Sequence, residues 1–147
     1  MIRFFCALAV LVFSMISNVN ASATIDQVVK NYGKFKTLTV TITCDGAGVQ
    51  ERTVLKLPDG ILLVHVETDP GATAPTDNYD LYIYDGMGVD IMGGALNNRD
   101  TSNSEDTQPQ IDSQAAAYMP FQGAFTLEQS NNAQAGAIYT VRIYYVE

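Results

Sequence analysis

From Thr37 to Thr43 the chain alternates without a break: Leu38, Val40 and Ile42 fall on one side, Thr37, Thr39, Thr41 and Thr43 on the other. Successive strand side chains point to opposite faces, whereas a helix repeats every 3.6 residues and would scatter these positions around its axis. The run therefore reads as a strand with one buried face. The same period recurs along the chain. Ile61–Thr68 places Leu62, Val64 and Val66 on an apolar face and Ile61, Leu63, His65 and Glu67 on a mixed one. Tyr79–Asp85 sets Tyr79, Leu81 and Ile83 against Asp80, Tyr82 and Tyr84. Ala124–Gln129 buries Phe125 and Leu127, and Tyr139–Val146 buries Tyr139, Val141, Ile143 and Tyr145. Val49–Leu57 is a less regular strand with Leu55 and Leu57 inward.

Turn chemistry separates these runs. Asp45-Gly46, Asp59-Gly60 and Asp85-Gly86 offer the positive φ that tight hairpins need. Pro70-Gly71 and Pro75 mark a longer loop, and Asn97–Ser113, with Ile111 its one aliphatic residue, reads as a long exposed loop. Residues 24–33 admit two readings. Thr24-x-x-Gln27 fits a helix capping box with Ile25, Val28, Val29 and Tyr32 at helical spacing; Asn31-Tyr32-Gly33-Lys34 can instead turn a first strand into the next, and the strand is preferred. Short strands at this spacing predict an all-β fold, a single antiparallel β-sandwich of jelly-roll or Ig-like type over residues 24–147. Neither an internal repeat nor a Pro-rich linker divides it.

Residues 1–23 read as a cleaved signal peptide. Arg3 is the only charge there. The apolar run Phe4–Ile16, broken only by Ser14, is shorter than the roughly 20 residues a spanning helix needs. Ala21-Ser22-Ala23 supplies small residues at a cleavage site. The expected product begins at Thr24, is exported to a periplasm or the medium, and keeps no stable membrane anchor. Cys6 lies inside the apolar run without the flanking pattern of a lipoprotein, which leaves Cys44 as the one cysteine of the mature chain. Cys44 is either a small apolar residue at a strand end or half of an intermolecular disulfide.

The 16 Asp+Glu outnumber the 8 Lys+Arg, for a formal charge of −8. A surface of that sign repels phosphate and argues against nucleic acid or anionic lipid as partner. His65 is the only histidine, so a Ser–His–Asp or Cys–His device would have to pass through it. One His and one mature Cys also fall short of a zinc set. Many carboxylates are available for glycoside hydrolysis, yet none forms a distinguishable pair. No catalytic residue or cofactor is assigned. Calcium stays open: Asp69, Asp77, Asp80, Asp85 and Asp90, with Asn78, flank connected loops of the kind hard cations use, without EF-hand spacing. Asp and Asn are equally the ordinary residues of turns. Tyr82, Tyr84 and Tyr144 lie opposite the expected core and are candidates for contact with a protein or a sugar ring. Arg99, within Asn97-Asn98-Arg99-Asp100, is expected to tie its loop to a nearby carboxylate.

Pro70-Gly71-x-x-x-Pro75-x-x-x-Tyr79-Asp80 leads into a strand, then Gly88-x-Asp90, then Gly94-x-x-x-Asn98-Arg99. That order, with the C-terminal run GAFTLEQSNNAQAGAIYTVRIYYV, resembles small proteins of tailed bacteriophages and prophages. The resemblance implies a β-sandwich that is part of, or associated with, the virion, and carries no catalytic or ligand residue. A signal peptide departs from that pattern, since virions assemble in the cytoplasm; a phage-encoded or domesticated relative acting in the host envelope reconciles the two. Three classes follow. The first is a non-enzymatic structural or interaction protein with a protein partner or self-association. The second is a secreted carbohydrate- or calcium-dependent binding module, and the third a secreted hydrolase.

Overall fold

The computed structural model describes residues 24–45, 51–116 and 118–147. The signal-peptide reading of residues 1–23, Gly46 of the first turn and the start of the Val49–Leu57 strand lie outside them.

The described residues form an all-β fold with antiparallel pairing and no helix. The strands are β1 (Thr24–Tyr32), β2 (Phe35–Thr43), β3 (Glu51–Lys56), β4 (Ile61–Pro70) and β5 (Asp80–Tyr84). After them come β6 (Glu105–Thr107), β7 (Gln110–Ile111), β8 (Gln114–Ala115), β9 (Met119–Phe121), β10 (Ala124–Ser130) and β11 (Ile138–Val146). The larger sheet runs β1-β2-β11-β4-β6, with β9 also on β4. The smaller runs β3-β10-β5, and β7 pairs with β8 alone. The ambiguous residues 24–33 are thus strand: β1 pairs with β2 along its whole length, closed by the turn at Gly33-Lys34.

Apolar alternation builds the core. Leu38, Val40 and Ile42 from β2 join Tyr139, Val141, Ile143 and Tyr145 from β11. Leu81 and Ile83 from β5, and Phe125 and Leu127 from β10, complete it from the smaller sheet. Ring contacts cross the core: Tyr79 lies 5.6 Å from Tyr139, and Phe121 meets Phe125 edge-on at 5.7 Å. Cys44 is 1 % exposed, with Sγ 3.5 Å from Gln129 Oε1. A side chain at that depth cannot meet a second chain unless the strand end opens.

Three expectations need correction. The apolar face of β4 is not Leu62/Val64/Val66. Ile61 and Leu63 point inward, then Val66 and Thr68, because the register slips between Tyr144 and Tyr145 of β11 and leaves Val64 as an extra residue. A bulge of this kind reverses the faces of a strand on its two sides. At the end of β5 the positive φ falls on Gly88, not Gly86. Asn97–Ser113 is also not wholly an exposed loop. β6 extends the large sheet along Val66–Thr68, and Pro109 is buried. The segment 90–99 seals the outer edge of β5: Ile91 N–H donates to Ile83 O (2.9 Å), Leu81 N–H to Leu96 O (3.0 Å) and Arg99 N–H to Tyr79 O (2.8 Å). A strand edge paired in this way is no template for another chain.

Candidate functional site

The acidic candidates are mostly engaged with backbone. Asp85 Oδ1 accepts from Met87 N and Val89 N, both at 2.9 Å. Asp90 accepts from Met92 N (3.1 Å) and Gly94 N (2.7 Å), and more loosely from Ile83 N (3.4 Å). Asp80 accepts from Asn98 N at 2.9 Å and from the Asn131 amide. Asp77 is exposed and takes Asn78 Nδ2 at 3.2 Å, and Asp69 is paired with Arg142 at 3.1 Å. Turn carboxylates satisfy amides that would otherwise lack partners, so their positions have a structural account. Among the described residues no three His, Cys, Asp or Glu side chains gather into a group that could hold a metal ion. Arg99 sits 3.4 Å from Glu105 and donates to Asn97 O at 3.1 Å, tying its loop as expected.

The three tyrosines do not come together. Tyr144 is on the outer face of the large sheet, within a polar ladder that alternation alone could not assemble. His65 stacks on its ring at 4.0 Å, and its hydroxyl donates to Glu67 at 2.9 Å. Arg142 bridges Glu67 at 2.7 Å and Asp69 at 3.1 Å. His65 Nε2 stands 3.9 Å from Asp106 on β6. Each member faces the next across paired strands, an arrangement that reinforces a sheet face. Desolvation, and next the bond to Glu67, raise the Tyr144 hydroxyl above the ordinary phenol range. A raised value means that the folded state holds this proton more tightly than the unfolded chain. The associated stability is complete below the unfolded pKa near 10 and drains away as pH climbs through the folded one. In an alkaline titration followed by phenolate absorbance, the difference between wild type and Tyr144→Phe is expected to have its midpoint above pH 10. A difference midpoint at or below that value contradicts the ladder.

Tyr82 and Tyr84 lie side by side on the outer face of the small sheet, rings 5.6 Å apart and 9° from parallel. Desolvation raises both hydroxyls, with Asp80 adding to Tyr82 and Glu128 to Tyr84. The pairing of β10 with β3 and β5 sets Arg52, Glu128 and Tyr82 in one row, and Val54, Thr126 and Tyr84 in the next. Arg52 Nε is 3.3 Å from Glu128 Oε2, and Val54 is exposed. Beyond Tyr84 the Asp85–Val89 hairpin projects. The two amide bonds to Asp85 Oδ1, with Asp85 N–H to Val89 O at 2.9 Å and Gly88 N–H to Asp85 O at 3.0 Å, fix its shape. Met87 at its tip is 89 % exposed. Open grooves of about 480 Å³ flank the tip on both sides, one reaching Val54 and Thr126, the other Leu62, Pro120 and Gln122.

Alternation along Tyr79–Asp85 predicted the two tyrosines. It gave no sign of Met87, whose only sequence signal is an apolar residue between two glycines. The comparisons with known proteins add nothing to this geometry: no family model, curated protein or solved structure matches the chain.

Proposed function

We propose that this chain is an exported, non-enzymatic structural or interaction protein, a β-sandwich of phage or prophage origin that acts on the virion or in the host envelope. The observation that carries the reading is Met87, held out on a hydrogen-bonded hairpin beside the stacked Tyr82 and Tyr84. An apolar anchor presented by a rigid loop loses little entropy on contact, which favours protein recognition. Methionine and tyrosine are also enriched at protein interfaces. The sandwich arrangement is supported by two antiparallel sheets whose buried rows share one core. Export is supported by the pattern of residues 1–23, and the phage origin by the motif order from Pro70 to Arg99.

A secreted ligand-binding module is the second reading. It is favoured by the groove of about 390 Å³ lined by Arg52, Tyr84, Gly88 and Glu128, where an aromatic ring adjoins polar side chains. Mass spectrometry of purified virions, periplasm and culture medium tests the first reading. The expected result is the protein in virions or envelope fractions with an N-terminus reading Thr-Ile-Asp-Gln. Recovery solely from the cytosol with residues 1–23 intact contradicts it.

A further inference from the structure

We propose that β1 pairs antiparallel with β1 of a second copy of this chain, about a two-fold axis at Val28, joining the two large sheets. Among the described residues β1 ends the sheet, with β2 as its one neighbour. Its described side chains are all exposed: Val28 is 48 % and Val29 59 % exposed, and Asp26, Lys30, Asn31 and Tyr32 are exposed as well. The one other strand of more than three residues with a single neighbour and no bonded cover among the described residues is β3, six residues long against nine for β1. β4 carries both β6 and β9, and segment 90–99 covers β5.

The backbone phase of β1 determines how a partner would dock. Cys44, just past β2, donates to Ala137 O at 2.8 Å and accepts from Gly136 N at 3.0 Å. Even-numbered residues of β2 therefore turn their backbone groups to β11, and odd-numbered ones to β1. Thr41, Thr39 and Thr37 pair with Asp26, Val28 and Lys30. The N–H and C=O groups of Asp26, Val28 and Lys30 thus point to β2, while those of Ile25, Gln27, Val29 and Asn31 point away from the sheet. A second β1 must then match odd residues to odd residues.

Of the two-fold registers this allows, the one centred on Val28 sets Gln27 against Val29 and Ile25 against Asn31 as hydrogen-bonded pairs. It also sets Val28 against Val28 and Asp26 against Lys30, twice by symmetry. Those are the non-hydrogen-bonded pairs, whose side chains approach most closely. A shift of the axis by one residue either way opposes Asp26 to Val28 or to Tyr32 and loses both ion pairs. The order Asp26-x-Val28-x-Lys30 is its own complement when reversed. An acidic surface would otherwise repel its copy; here each copy supplies the local cation the other lacks.

The contact is distinct from the Tyr82–Met87 face, so either can fail alone. Sedimentation velocity across a dilution series of the full protein, as recovered from its producing cells, is expected to show a monomer–dimer equilibrium. Lys30→Asp sets carboxylates against carboxylates and is expected to weaken the dimer about tenfold or more. Asp26→Lys should do the same, and the double exchange Asp26→Lys/Lys30→Asp should restore it. Val29→Pro deletes a donor on the outer edge while sparing the ladder to β2, and should also give monomer. A wild-type protein that stays monomeric throughout overturns the proposal. So does a dimer that both single charge reversals leave unchanged.

Discussion

Phe125→Ala is expected to lower stability by about 3–5 kcal/mol. The side chain is 2 % exposed on β10, centrally paired in the smaller sheet, and its ring meets Phe121 edge-on at 5.7 Å. It stands where Leu63 and Ile143 of the large sheet approach Ile83 of the small one around a void of only about 10 Å³. A gap that small barely admits a water, so the sheets are already in contact and cannot close further without strain. Truncation would open a cavity between strands held on both sides by their ladders. A domain has about 5–15 kcal/mol in total, so a substantial part of it is lost. Urea denaturation followed by tyrosine fluorescence measures this directly. A loss below about 1 kcal/mol would mean that the two sheets do not share a packed core.

The second large effect is expected at Gly93. Its φ is +60°, and a methyl built there would penetrate the Gln110 carbonyl oxygen. Gln110 N–H donates to Met92 O at 3.2 Å, so this close approach holds β7 against the turn that carries Met92 and Leu96 into the core. Gly93→Ala combines a left-handed backbone cost of about 1–2 kcal/mol with overpacking of about 1–3 kcal/mol. Two other glycines separate the terms. Gly60 has φ +76° with open space around it, so Gly60→Ala should show the backbone cost alone. Gly71 has no positive φ, but a methyl would come 2.5 Å from Ile138 O, so Gly71→Ala should show the steric cost alone. Chemical denaturation of the three variants is expected to place Gly93→Ala below both of the others. If Gly93→Ala matches Gly60→Ala, the turn does not press on β7.

These two sites differ in how far the sequence foretells them. Phe125 follows from alternation, which reports local geometry and so identified the inward rows of β2, β5, β10 and β11. Gly93 does not, because its neighbour Gln110 arrives through a loop closure that no local pattern encodes. β4 is an intermediate case. Both of its faces are apolar between Ile61 and Val64, so alternation has no unique phase there. The bulge at Val64 is set by β11, far along the chain. The polar ladder was hidden for the same reason: Arg142 and Glu67 are 75 residues apart. Period two says which residues share a face but not which sheet they join. That is why Tyr144 separated from Tyr82 and Tyr84. Asn97–Ser113 misled through composition, since a polar segment can still be held by Arg99, Glu105 and an edge pairing.

The proposed function rests on the surface formed by Tyr82, Tyr84 and Met87. The most direct test places a photo-crosslinking amino acid at Met87 in the producing cells and a second, as control, at exposed Asp59 outside the grooves. A discrete adduct of one defined mass from position 87, absent from position 59 and lost when Tyr82 and Tyr84 are changed to alanine, is the predicted result. No adduct from position 87, or the same adducts from both positions, would contradict a recognition role for that face.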